Sequence, residues 1–289
     1  MSSSHRGVLY ILLSGMFFGL LGYFGLSLMN HNFSVYSMLF WRFAVAFVFL
    51  LIVIVFKKPS RSSNWIDLVK VFMYGALFYS TVSIFYYLSA VYIGSGLAMV
   101  IFFTYPAMVM IGNQIFYKKP FQLSYLLAIL IIFLGMLFLI QGSAYHFVPI
   151  GIVYSLLSAL LFTFYLLFSK TSTVPAVPST LMLSLGCMFT CLLGMMWEHA
   201  FPLPSQLPDW LDVLGIGIIC TALPIFLLLE GLTHISATQA SILSVLEPVF
   251  VVIFGILLLH EQVSFSQLVG VVIVLSGSLI SLISDNSDG

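Results

Sequence analysis

Ten apolar runs, each close to the roughly 20 residues that carry a helix across a bilayer, fill almost all of this 289-residue chain. They span about residues 7–29, 35–56, 66–91, 95–116, 122–141, 147–169, 178–199, 210–232, 236–259 and 264–284. In lipid a backbone amide finds no water, so each run must close its hydrogen bonds internally as a helix. The segments between the runs cannot continue one: Asn30-His31-Asn32, Lys57-Lys58-Pro59-Ser60-Arg61, Lys118-Lys119-Pro120, Gly142-Ser143, Pro175 to Pro178 and Pro202 to Asp209. Two breaks are slight, Ile93-Gly94 and His234-Ile235-Ser236, and fall where the combined run is too long for one crossing. The expected fold class is an all-α polytopic membrane protein with ten transmembrane helices and no soluble domain.

Composition excludes the main alternatives. Apolar residues make up 62% of the chain and charged residues 6%, nine basic against nine acidic; a soluble domain carries about 25% charged residues. Without a basic excess nucleic acid is not a partner, and the apolar content excludes disorder. Cys187, Cys191 and Cys220 lie inside apolar runs, with no C-x-x-C or Cys/His ligand spacing. They read as small hydrophobes, so no disulfide framework, metal or cofactor is expected. The first run exceeds the ~7–15-residue core of a signal peptide and lacks a clear small-residue cleavage site. No G-x-x-x-x-G-K-[ST] motif is present, so an ATP-driven pump would need a partner chain.

Charge placement orients the spans. With the N-terminus cytoplasmic, Arg6, Lys57, Lys58, Arg61, Lys70, Lys118, Lys119 and Lys170 all fall on cytoplasmic flanks. The outer side holds no Lys or Arg, only Glu198, Asp209, Asp212 and Glu261. Both termini are then cytoplasmic. The halves are also related. A shift of 142 residues puts Pro106 on Pro248, Ser124 on Ser266, Ile131 on Ile273, Gly135 on Gly277 and Leu137 on Leu279. A shift of 144 puts Gly7, Tyr10, Leu12, Leu13, Ser14 and Phe18 on Gly151, Tyr154, Leu156, Leu157, Ser158 and Phe162. Because each half holds an odd number of spans, the second must sit inverted. The expected domains are therefore two inverted five-helix repeats, residues 1–142 and 143–289, the build of secondary transporters with a midplane site between repeats.

The run Leu246-Glu247-Pro248-Val249-Phe250, followed by His260-Glu261, Gly270 and Gly277, resembles the C-terminal signature of the drug/metabolite transporter superfamily, EamA type. Tyr105-Pro106, Lys118-Lys119 and Gly135 form a weaker first copy, and the resemblance extends over about residues 7–284. It implies ten helices, a central cavity, alternating access and, in most relatives, export across a bacterial inner membrane. It implies no particular substrate. The chain departs from internal symmetry at Tyr105, which stands where the second repeat has Glu247.

Charge inside a bilayer is costly and marks function by default. Arg42 lies seven residues into its span, roughly 10 Å below the outer surface at 1.5 Å per residue. It is either a structural tie between helix ends or a bidentate partner for a substrate carboxylate. Glu247 precedes a proline near mid-span; it either caps freed backbone at a packed crossing or carries a coupling proton. Glu230, His234 and His260 sit near span ends and read as interfacial. Trp65 and Trp210 start their spans, as belt residues do.

Tyr79, Ser83, Tyr86 and Ala90 recur at helical spacing as one semi-polar face of the third span. Met99, Phe102, Phe103 and Pro106 match it in the fourth, and Ser241, Ser244, Val245 and Pro248 in the ninth. Phe164 and Tyr165 come from the sixth span, Ser14, Phe17 and Phe18 from the first. The expected substrate-binding set is Phe17, Arg42, Tyr79, Ser83, Tyr86, Met99, Phe102, Tyr165, Ser241 and Ser244, with Glu247 as the coupling residue. Packing between helices is the competing reading of the same residues, and it applies also to Gly15, Gly19, Gly22, Gly94 and Gly96.

These residues fit a secondary transporter for a small amphipathic metabolite such as an amino acid, exported by proton-coupled alternating access as a monomer or homodimer. Multidrug or polyamine efflux and an uptake facilitator stay open. A membrane scaffold and an intramembrane enzyme are the non-transport alternatives. The enzyme lacks support, because no Asp lies mid-span and only Arg42, Glu230 and Glu247 are intramembrane charges.

Overall fold

The structure, a computed structural model, describes residues 3–56, 63–118, 122–140, 148–199, 201–259 and 264–286. The first apolar run folds as α1 (Ser3–Phe18) and α2 (Leu21–Asn30), the second as α3 (Val35–Phe56). The third is α4 (Trp65–Met73), a π-helical turn at Tyr74–Tyr79, and α5 (Ser80–Ile93). The fourth is α6 (Ser95–Phe102) with α7 (Tyr105–Tyr117), and the fifth is α8 (Leu123–Leu139). The second half repeats the plan. After α9 (Pro149–Lys170) and α10 (Ala176–Glu198) come α11 (Leu207–Leu214), a π-helical turn at Gly215–Ala222 and α12 (Leu223–His234). The chain then runs through α13 (Ala237–Ser244), α14 (Glu247–Leu259) and α15 (Phe265–Asn286). The described residues contain no strand.

Eight of these helical units are long and apolar enough to cross a membrane; α8 and the apolar stretch Phe265–Ile280 of α15 are shorter. Both slight breaks are real turns. Gly94 takes a φ of 84°, a left-handed conformation that glycine reaches without Cβ strain. Ser236 caps α13, its Oγ accepting the Gln239 N–H at 3.1 Å. Lys57, Lys58, Arg61, Lys119, His260, Glu261 and the Gly142-Ser143 junction lie outside the described residues.

The interruptions inside the spans are chemically intelligible. A proline supplies no N–H to the preceding turn and crowds the carbonyl four residues back. Helices part just before Tyr105-Pro106 and just before Glu247-Pro248. The π turn at Gly215–Ala222 ends against Pro224 for the same reason. Its partner at Tyr74–Tyr79 has no proline; there Gly75 lies so close to the Leu183 backbone that a Cβ would overlap it.

Contacts between the halves recur reciprocally. Ser14 Oγ donates to Pro224 O at 2.8 Å, and Ser158 Oγ donates to Val82 O at 2.8 Å. Gly7 packs on His234 and Ile235, and Gly151 on Tyr92 and Ile93. Gly135 lies over Gly270 and Val274, while Gly277 lies over Ala128 and Ile132. Gly75 meets Leu183, and Gly217 meets Arg42 and Val45. Every pair maps onto its mate by the shifts of 142 to 144 seen in the sequence, give or take one residue. Two copies related by a two-fold axis produce this pattern. Lipid gives no hydrophobic push between helices, so small residues and Ser-to-carbonyl bonds hold the crossings. Leu130, Leu134, Val272 and Leu279 point outward.

The two ends differ in charge. Ser27, His31 and Ser34 meet Asp212, Asp209 and Glu198 at one end. At the other, Lys170 Nζ donates to the carbonyls of Leu232 and Ile235, near the α1 start where Tyr10 stacks on His234.

Candidate functional site

The site is built around Arg42. It is 2% exposed, and its Nε donates to Thr221 Oγ1 at 2.7 Å. Thr221 in turn donates to Ile216 O at 2.6 Å, a carbonyl five residues back in the π turn; such turns often mark functional sites. The guanidinium carbon lies 5.1 Å from the centroid of the Phe43 ring. Among the described residues no carboxylate comes within ion-pair distance of it. It stands within electrostatic reach of Tyr79, Tyr87, Cys187, Cys191, Cys220 and Glu247. Both π turns therefore contribute a hydroxyl beside Arg42, Tyr79 from the first and Thr221 from the second.

An aromatic wall fills the space next to it. Tyr79 is in T-shaped contact with Tyr165 at 4.9 Å and with Phe43 at 6.1 Å. Phe162 joins Tyr165, Tyr105, Phe102 and Tyr79. Tyr86 packs edge-on to Phe102 at 5.3 Å. Opposite, Glu247 opens α14 directly after the break, half-buried, with Gly15 beside its backbone. Tyr79, Tyr86, Tyr87 and Tyr105 lie within its electrostatic reach.

Of the residues expected from sequence, Arg42, Tyr79, Tyr86, Phe102, Tyr165 and Glu247 gather here. Met99 packs at the edge of the same core. The three serines are near but differently employed. Ser83 donates to Tyr79 O, Ser241 to Thr238 O and Ser244 to Ala240 O. Each hydroxyl hydrogen is thus spent on its own helix, leaving lone pairs rather than donors for a ligand. Phe17 is only partly buried and stands outside the core cluster. Thr221, Phe43, Tyr87 and Phe162 are additions. Thr221 could have been found as the position 142 residues beyond Tyr79, and Phe162 as the mate of Phe18. Nothing in the sequence points to Phe43. The cysteines are buried as expected, and Cys187 Sγ donates to Gly75 O at 3.3 Å.

The ends of the molecule are held unequally. At the acidic end Ser27 Oγ donates to Asp212 at 2.5 Å, Ser34 Oγ to Glu198 at 2.6 Å, and Trp41 Nε1 to Pro202 O at 3.0 Å. His31 Nδ1 sits 2.6 Å from Asp209, and Trp41 packs edge-on to Trp210. These bonds tie α2, α3 and the turn between them to the end of α10 and the segment running through α11. At the opposite end the positions related to Asp209 and Asp212 are Asp67 and Lys70. These two bond each other at 2.8 Å instead of reaching another element.

The described residues hold no group of three or more His, Cys, Asp or Glu arranged for a metal ion. The family model described as the EamA-like transporter family matches the chain twice, at residues 5–141 and 149–283. A protein of Archaeoglobus fulgidus described as an uncharacterized transporter is 28% identical over 250 residues, covering 83% of this chain and 85% of its own length. The uncharacterized transporter YxxF of Bacillus subtilis is 25% identical over 191 residues, 65% of this chain and 61% of its own. A crystal structure of a protein, so titled, shares the fold with a TM-score of 0.80 at 14% identity over 98% of each chain.

Proposed function

The chain belongs to the EamA-like transporter family, and from that premise we propose that it is a secondary transporter with Arg42 as the carboxylate-binding residue. The observation that carries this reading is a buried guanidinium with no carboxylate partner among the described residues. An uncompensated buried charge costs several kcal/mol, and a substrate carboxylate would supply the missing bidentate partner. Aromatic rings beside it suit an apolar portion, so the substrate is a small amphipathic carboxylate or zwitterion such as an amino acid.

Transport proceeds by alternating access between two five-helix repeats, residues 1–142 and 143–289, inverted in the membrane. The reciprocal glycine and serine contacts support this arrangement. The α8–α15 pair completes ten spans, since its glycines let the two short helices pack backbone to backbone. Both termini lie on the cytoplasmic side of the inner membrane, the acidic end faces out, and the substrate is exported. Glu247 exchanges the coupling proton, having no hydrogen bond or ion pair to bind it to another described residue.

The test is a thermal-shift screen of the purified protein with L-leucine, L-phenylalanine, uridine, spermidine and tetraphenylphosphonium, followed by proteoliposome flux. Stabilisation by the amino acids that disappears in Arg42→Ala supports carboxylate capture. Stabilisation by the cations alone, surviving that change, overturns it in favour of polyamine or multidrug efflux.

A further inference from the structure

A guanidinium offers a carboxylate two edges. The anion binds side-on, to Nε and one Nη, or end-on, to the two Nη nitrogens. Around Arg42 the two edges are not equally available. Its Nε donates to Thr221 Oγ1 at 2.7 Å, which takes one of the two donors of the side-on edge. The Thr221 hydroxyl cannot turn round, because its own hydrogen goes to Ile216 O at 2.6 Å. It therefore shows Arg42 a lone pair and nothing else. Among the described residues the Arg42 side chain makes no further hydrogen bond.

The backbone explains how Thr221 reaches this far. Gly217, about one turn before it in the π turn, packs hard on α3. A Cβ there would come within 2.5 Å of the Val45 side chain and 3.1 Å of the Arg42 carbonyl. The face of the guanidinium is fixed separately. Its Cζ lies 5.1 Å from the centroid of Phe43, and Phe43 is fully buried in T-shaped contact with Tyr79. With one edge bonded and one face covered, the Nη pair is what remains for a ligand.

We propose that Thr221 is a positioning and specificity-determining residue of the Arg42 site. It holds the Nε edge, so the substrate carboxylate is taken end-on by the two Nη nitrogens. This rests on the transport reading above and narrows its substrate class. An end-on fork presents two parallel donors, and only a free carboxylate answers both with equivalent oxygens. An amide or ester of the same shape leaves one donor poorly met in a buried site and is refused.

Arginine-selective NMR tests this. The chain has three arginines, Arg6, Arg42 and Arg61, so Arg6→Lys combined with Arg61→Lys leaves a single labelled guanidinium. In this background Thr221→Val speeds exchange of the Arg42 Nε–H with water at least about tenfold, the factor for losing one hydrogen bond to a charged group. Thr221→Ser keeps the slow rate. Sodium benzoate and L-phenylalanine then shift and slow the Nη hydrogens and leave the Nε–H where it was, whereas benzamide moves neither. In Thr221→Val the same carboxylates also move the Nε–H, and the preference for benzoate over benzamide narrows. Equal exchange rates in Thr221→Val and its parent, or an Nε–H that shifts with ligand while Thr221 is present, overturn the role of Thr221. The ligand titration decides this even where Thr221→Val fails to fold. Loss of the Thr221 role with benzoate still bound at Nη or Nε leaves the transport reading intact. Guanidinium signals unmoved by every carboxylate sink capture by Arg42, and the end-on assignment falls with it.

Discussion

Replacing Arg42 by Leu separates a binding arginine from a structural one. The change copies the second half's Leu183, which meets Gly75 as Arg42 meets Gly217. Removing an uncompensated buried charge relieves about 3–5 kcal/mol. Against this stand the lost bond to Thr221, about 1.5–3 kcal/mol for a charged donor, and the Phe43 contact, about 0.5–2 kcal/mol. Thr221 is not orphaned as a donor, since its hydroxyl hydrogen goes to Ile216 O. The sum runs from about 2 kcal/mol of destabilisation to about 3 kcal/mol of stabilisation, a change in Tm of no more than several degrees either way at about 2–4 °C per kcal/mol. Binding moves the other way. Two charged hydrogen bonds to a carboxylate are worth about 3–6 kcal/mol, so affinity falls at least about 100-fold. The assay pairs a melting curve in detergent with equilibrium binding and proteoliposome flux of the same preparation. If Tm instead falls by more than about 10 °C while transport per folded molecule persists, Arg42 is a helix tie and the binding argument fails.

Glu247→Gln is expected to keep substrate exchange and lose accumulation driven by a pH gradient; gradient-driven uptake at the wild-type level would place coupling elsewhere. Ser27→Ala combined with Ser34→Ala removes two hydroxyl–carboxylate bonds at the acidic end. A cysteine at Met38, fully buried in the native structure, should then react about tenfold faster with an impermeant thiol reagent, for a loss of about 1.4 kcal/mol, and an unchanged rate would show that these bonds hold nothing shut. Gly277→Ala drives a Cβ into the α8 backbone and costs about 1–3 kcal/mol. Gly22→Ala meets open space and is neutral or gains up to ~1 kcal/mol; equal melting temperatures would refute the packing described for α8 and α15. Ser14→Ala and Ser158→Ala should each cost about 1 kcal/mol and add in the double variant, because they break the same bond in opposite halves.

The spans were legible because lipid leaves an apolar run few options, and observed bounds such as Val35–Phe56 coincide with the run itself. The repeat was legible at Pro106 and Pro248, where a missing N–H fixes the backbone whatever surrounds it. Other features needed three dimensions. The π turns put Tyr79 and Thr221 beside Arg42, yet only Pro224 signals either turn. The serine faces were visible as faces, but whether a hydroxyl serves a ligand or its own helix depends on local carbonyls. Ser241 and Ser244 chose the carbonyls. The acids Glu198, Asp209 and Asp212 stood out as charges, while their partners Ser34, His31 and Ser27 did not, because those contacts join segments distant in sequence.

The backbone repeats itself and the chemistry does not, and that difference gives the molecule a direction. A strictly symmetric pair of repeats would present the same gate at both ends and prefer neither. Here Tyr105 faces the place that Glu247 holds in the other half, Arg42 answers Leu183, and the Asp67–Lys70 pair answers Asp209 and Asp212. The last exchange changes how each end is fastened. Asp209 and Asp212 reach across to His31 and Ser27, whereas Asp67 is taken up by Lys70 one turn away on its own helix. At that end the bonds between elements come instead from Lys170 to the carbonyls of Leu232 and Ile235. Opening the acidic end must break hydroxyl–carboxylate bonds worth about 1 kcal/mol or more apiece, and opening the other must break an ammonium's bonds to two carbonyls.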